Sequence, residues 1–122
     1  MKRGKVSFET VREIGLRLPD AEESTMHGKP ALKLRGEMFA CLPSHRSAEP
    51  DSLIVRVDFD QRAELLAAEP DVYYITDHYK DYPAVLVRLP RVKPELLKDL
   101  LGMAHRFVAA EAARGGQKRK RR

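Results

Sequence analysis

The side chains with chemistry to offer are few, and their spacing limits what they can do. The densest group is Asp77-His78-Tyr79 followed by Asp81 and Tyr82. A histidine beside a carboxylate can move a proton as general acid or base, provided the two come within hydrogen-bond reach. The same residues also make an ordinary loop, whose aspartates close turns and whose tyrosines pack over a sheet edge. The ordinary reading ranks first, with Asp77, His78, Tyr79 and Tyr82 as a candidate loop for a ligand or partner. The other histidines, His27, His45 and His105, sit at no helical i, i+4 spacing with one another, and Cys41 has no second cysteine. Neither a structural zinc site nor any other metal or cofactor is expected. Cys41 lies in the apolar run Met38–Leu42 and reads as a small buried hydrophobe rather than a low-pKa nucleophile. There is no G-x-S-x-G, no glycine-rich phosphate loop and no H-E-x-x-H. No catalytic residue is therefore assigned.

Cations are the second group. Lys33, Arg35, Arg56 and Arg88 each fall in an apolar stretch that reads as a strand. If the apolar neighbours face a core, period-two alternation turns these four outward, where they could hold a phosphate backbone. The competing reading is four exposed strand positions paired with acids such as Glu37. The last five residues, Lys118, Arg119, Lys120, Arg121 and Arg122, are all basic. Five phosphate contacts would give a log–log salt slope of about −4. No aromatic residue interleaves them, so stacking on bases is not expected from this segment. The formal charge of +5 is a property of the ends: without Lys118–Arg122 the chain has 18 basic and 18 acidic residues. Without Lys2, Arg3 and Lys5 as well it has 15 against 18, a body of −3.

The elements that must position these groups follow from periodicity. Ser7 opens a helix whose Phe8, Val11, Ile14 and Leu18 share a face, and Leu18-Pro19 ends it. Residues 22–42 read as extended, with a hairpin of Pro30–Arg35 and Met38–Leu42 turning at Gly36. Pro43 to Asp51 is loop, and Leu53–Val57 a strand. Asp58 with Gln61 makes a capping-box pair for a helix that Pro70 closes. Val72–Thr76 reads as a short strand, and Ala84–Leu89 as a strong one. Pro94 starts a last helix with Leu97, Leu100, Leu101, Ala104, Phe107 and Val108 on one stripe.

At 122 residues this is one domain's worth of chain. The expected class is α+β: a two-layer sandwich with an antiparallel sheet and helices packed on one face. Residues 1–114 form the domain and 115–122 a flexible basic tail. No run approaches the ~18 apolar residues of a membrane span, and a lone cysteine suits a reducing, cytoplasmic home. Monomer and homodimer both remain open.

Several stretches, in order, carry a family likeness. Leu18-Pro19-Asp20-Ala21-Glu22-Glu23, Gly28-Lys29-Pro30-Ala31-Leu32-Lys33-Leu34-Arg35-Gly36 and Met38-Phe39-Ala40 resemble the first half of the MmcQ/YjbR-like family of small bacterial proteins. Leu53-Ile54-Val55-Arg56-Val57-Asp58, Tyr74-Ile75-Thr76-Asp77-His78-Tyr79 and Tyr82-Pro83-Ala84-Val85-Leu86-Val87-Arg88-Leu89 resemble its second half. The resemblance runs from about residue 7 to 110. It implies a frataxin-like (CyaY-like) fold, also described as a double-wing DNA-binding arrangement, with no established activity and no cofactor. Gly28 and Pro30 match its G-x-P-A turn, Lys33 its basic strand position, His78 and Tyr79 its H-Y step, and Pro83 the approach to its last strand. Ala84 stands where many relatives carry tryptophan, which removes an aromatic platform.

Two expectations of function result. The first is a DNA-binding module without sequence preference, contacting phosphates through Lys33, Arg35, Arg56, Arg88 and the tail Lys118–Arg122. The second is a protein-interaction or small-ligand module using the Asp77–Pro83 loop. An enzyme built on His78 and a carboxylate comes third.

Overall fold

The computed structural model describes the backbone of residues 6–120 and the side chains of residues 6–114. Of the residues expected to contact phosphates, Arg121 and Arg122 and the side chains of Lys118, Arg119 and Lys120 lie outside the described residues. In chain order the elements are α1 (Phe8–Gly15), β1 (Ala21–Met26), β2 (Lys29–Leu34), β3 (Glu37–Cys41), β4 (Ser52–Arg56), α2 (Phe59–Ala68), β5 (Tyr73–Tyr74), β6 (Ala84–Arg88) and α3 (Pro94–Lys120). The strands form one antiparallel sheet in the order β1-β2-β3-β4-β6-β5. The α+β class holds, with α3 laid across β2, β3 and β4, α2 against β5 and β6, and α1 against α3.

Local chemistry explains the boundaries. Asp58 caps α2 by accepting from the Gln61 N–H at 2.7 Å, and the Gln61 side chain accepts from the Asp58 N–H at 3.3 Å. At α1 the Ser7 N–H donates to Thr10 Oγ1 at 3.4 Å. Two tight hairpin turns follow. His27-Gly28 and Arg35-Gly36 all have positive φ (54°, 78°, 53° and 85°), the pattern of two-residue loops that match strand twist. Arg35 is therefore a turn residue, not a strand residue. The expected strand Val72–Thr76 shortens to Tyr73–Tyr74.

The sheet is buried on both faces, unequally. The first face carries the main core: Leu32, Leu34, Phe39, Leu53, Val55, Val85 and Val87 against Leu97, Leu101, Ala104 and Val108 of α3. The second face carries a smaller cluster of Ala31, Met38, Cys41, Ile54, Tyr79, Ala84 and Leu86. A β-bulge separates the two sets within β3. Leu32 pairs with Ala40 but Lys33 pairs with Met38, so Phe39 has no partner. Phe39 and Ala40 both join the first core, while Met38 and Cys41 join the second.

Candidate functional site

The second face is roofed by the loop between β5 and β6. That loop turns twice, with Tyr79 N–H donating to Thr76 O and Tyr82 N–H to Tyr79 O, both at 3.0 Å. Its far end is tied to α2 by one side chain. The Arg62 guanidinium donates to the carbonyl oxygens of Lys80 (2.8 Å), Tyr82 (3.0 Å) and Ala84 (3.2 Å), and lies 4.8 Å over the Phe59 ring. Sequence reasoning missed Arg62, whose partners are 18 to 22 residues away.

The near end of the loop rests on the β3–β4 connection. His78 stacks on His45 with ring centroids 3.5 Å apart and 7° between planes. Tyr79 stands edge-on to both rings. His45 Nδ1 accepts from the Ser47 N–H at 3.1 Å and lies 2.8 Å from Ser47 Oγ, which in turn meets Thr76 Oγ1 at 2.9 Å. Desolvation, then the neighbouring His78 and Arg46, push the His45 pKa down and favour the neutral ring. Burial pushes the Tyr79 phenol up. Among the described residues His78 forms no hydrogen bond to Asp77 or Asp81, so no acid–base pair is assembled. His45 had no sequence signal beyond lying in the same polar loop as Ser47.

Between roof and sheet is a cavity of about 350 Å³. Its floor is Met26, Met38, Cys41, Leu42 and Ile54, and its polar lining is His27, Ser44, His78, Tyr79 and Tyr82. Burial raises the Cys41 thiol to about 11, with Lys33 opposing the rise, so the floor thiol stays protonated at neutral pH. A larger hollow of about 530 Å³ lies between the start of α1 and the β3–β4 connection. It mixes Lys29 with Glu49 and Asp51 along proline-rich walls, without a convergent set of donors. Among the described residues no group of three or more His, Cys, Asp or Glu side chains could hold a metal ion.

The four strand cations do not form an open patch. Lys33, Arg56 and Arg88 do share the second face, in alternation with Ala31, Ile54 and Leu86. Arg88, however, makes a bidentate pair with Glu49 (2.9 Å to each oxygen) and donates to the carbonyls of Pro70 (3.1 Å) and Asp71 (3.2 Å). It lies 4.4 Å over the Tyr74 ring and holds the Glu49 carboxyl below its usual range. Arg56 donates to Pro83 O at 3.2 Å and Met38 O at 3.5 Å, with its guanidinium 5.0 Å from the Tyr82 ring and 5.3 Å from the Phe107 ring. Arg35, in its turn, meets Asp20 at 3.5 Å, both exposed. Lys33 alone of the four forms no ion pair or side-chain hydrogen bond among the described residues. Of the loop residues, Tyr79 is buried and His78 and Tyr82 are exposed wall residues, while Asp77 does not line the cavity.

Comparison with known proteins gives three findings. The family model described as YjbR matches residues 16–107. Uncharacterized proteins of Mycobacterium bovis and of two strains of Mycobacterium tuberculosis are each 44% identical over 52 residues, which is 42% of this chain and 40% of each relative. The matched stretch thus spans two-fifths of the length of those relatives. The crystal structure of Deinococcus radiodurans protein DR2400, of the DUF419 family-model domain, superposes with a TM-score of 0.69 at 23% identity, covering 88% of this chain and 82% of that one. At that identity the likeness speaks for the fold. No helix among the described residues is long and apolar enough to cross a membrane.

Proposed function

Since the chain belongs to the YjbR family, and the names of the three mycobacterial relatives assign no activity, the reading starts from the chain's own side chains, and we propose that it is a binding module that takes a small ligand beneath the β5–β6 loop. One observation carries this reading. The cavity of about 350 Å³ sits in the size range of ligand sites and pairs an apolar floor with converging imidazole, phenol and hydroxyl groups. Its walls are fixed from two sides, by Arg62 at one end and by the His45–His78 stack at the other. A wall held in place before binding loses less freedom on binding.

The test is a fragment titration followed by amide chemical shifts. Shifts are expected to cluster at Met26, His27, Met38, Cys41 and His78–Tyr82. Because His78 and Tyr82 are exposed, His78→Ala and Tyr82→Ala should leave the melting temperature nearly unchanged. Each should weaken fragment binding about tenfold, the equivalent of about 1.4 kcal/mol. Fragment shifts scattered over the surface, or insensitive to both variants, would remove the proposal.

A second reading, a DNA-binding module contacting phosphates, is favoured by the run Lys118–Arg122. With Arg35, Arg56 and Arg88 already engaged, the contacts fall to that run and to Lys33. On this reading the full chain binds duplex DNA at ~50 mM salt with a log–log slope of about −4, and truncation after Gly116 loses most of it. Equal binding by the truncated chain would move the contacts onto the domain, and no binding by either would end this reading.

A further inference from the structure

We infer that the ligand is an amphiphilic organic anion: a carboxylate held at the rim by Lys33 and His27, with its apolar body on the floor of Met26, Met38, Cys41 and Ile54. The inference rests on the small-ligand reading above and adds the chemical class.

Three observations converge on it. First, the polar lining consists of His27, Ser44, His78, Tyr79 and Tyr82, groups able to donate hydrogen bonds, and no carboxylate side chain lines the cavity. A cationic ligand would meet no opposite charge there. Second, β2 brings one ammonium group to this edge. Ala31 and Lys33 point to the same face by alternation, and Lys33 lies opposite Met38, a residue of the floor, whereas Lys29 lines the neighbouring hollow with Glu49 and Asp51. Lys33 shares the face of Cys41 and is half-buried; Glu22 lies opposite it on β1, but the two form no ion pair among the described residues. A half-buried ammonium that makes no ion pair gains from an incoming anion. Third, the floor itself is thioether, thiol and branched aliphatic, a polarisable surface that adapts to a flexible chain but offers a head group nothing. Beside it His27 is fixed in the left-handed region at φ 54°, which presents its ring from the β1–β2 turn.

The site therefore separates a charged end from an apolar end over the width of a strand pair. Lengthening the apolar body by one methylene should tighten binding about threefold to fourfold until the floor is covered.

Three probes of equal length isolate the head group: octanoate, octan-1-ol and octylamine, titrated at pH 7 into the full chain with amide shifts as readout. Octanoate is expected to bind at the pocket residues, octanol at least about tenfold more weakly, and octylamine not measurably. Lys33→Met should bring octanoate down to the octanol level while leaving octanol unchanged; Lys33→Gln, which keeps a polar end, guards against a packing artefact. Arg35→Gln, which removes an equal charge from the β2–β3 turn away from the lining, should leave octanoate affinity as it was. Octanol equal to octanoate, or indifference of octanoate to both Lys33 variants, overturns the anion inference and leaves the small-ligand reading standing. Absence of pocket shifts with all three probes overturns both.

Discussion

Phe39→Ala is expected to lower the unfolding free energy by about 3–5 kcal/mol, the range for emptying an aromatic site in a close-packed core. Phe39 is fully buried and the bulge gives it no strand partner, so its place is set by packing alone. Its ring meets His105 of α3 edge-on at 5.8 Å and reaches to 3.8 Å from where a Cβ on Gly15 would lie. It thus sits between α1, α3 and the sheet. A total stability of roughly 5–15 kcal/mol leaves such a variant marginal. Urea unfolding gives the number directly. A loss under about 1 kcal/mol would mean that the bulge does not turn Phe39 into the first core. The more conservative Phe39→Leu should recover more than half of the loss.

Arg62→Ala carries the second large effect, about 1–3 kcal/mol together with a loosened roof. Its guanidinium satisfies three carbonyls of the β5–β6 connection at once. A lysine cannot reproduce that fork, so Arg62→Lys should behave much like the alanine variant. Hydrogen exchange separates a local from a global effect. The amides of Tyr79, Tyr82 and Ala84 should exchange faster by at least about tenfold, while those of Leu97–Val108 keep their protection. Uniform acceleration over the whole chain would show that Arg62 supports the domain rather than the roof. Ligand affinity should fall with the loop amides, since Tyr79 and Tyr82 wall the cavity.

What could be read from the sequence was what neighbouring residues decide. The Asp58–Gln61 cap involves partners three apart, and alternation in β2, β4 and β6 puts Lys33, Arg56 and Arg88 on one face as the spacing requires. The family likeness over the body of the chain also held. Strict alternation fails in Met38–Leu42 because one bulge shifts the phase, sending Met38 and Cys41 to one core and Phe39 and Ala40 to the other. Arg35 reads as a strand residue until the turn is known to need two consecutive left-handed positions. The candidate site depended on long-range pairs. Glu49 meets Arg88 across 39 positions, and His45 meets His78 across a sheet face. Neither spacing carries a pattern, because a side chain's partner across a sheet is set by strand order and not by sequence period.

The strand order has a consequence for how the chain matures as it leaves the ribosome. β5 is made before β6, yet β6 is inserted between β4 and β5, and Tyr73–Tyr74 pairs with β6 alone. The nascent sheet can therefore grow from β1 to β4 and must then wait, with the edge of β4 unsatisfied, until residue 88 has been synthesised. Arg88 is the last residue of β6, and its bonds to Glu49, Pro70 and Asp71 close two earlier connections, β3–β4 and α2–β5, at one stroke. The interval between β4 and Arg88 is the window in which this protein is exposed to strand exchange with a neighbouring nascent copy.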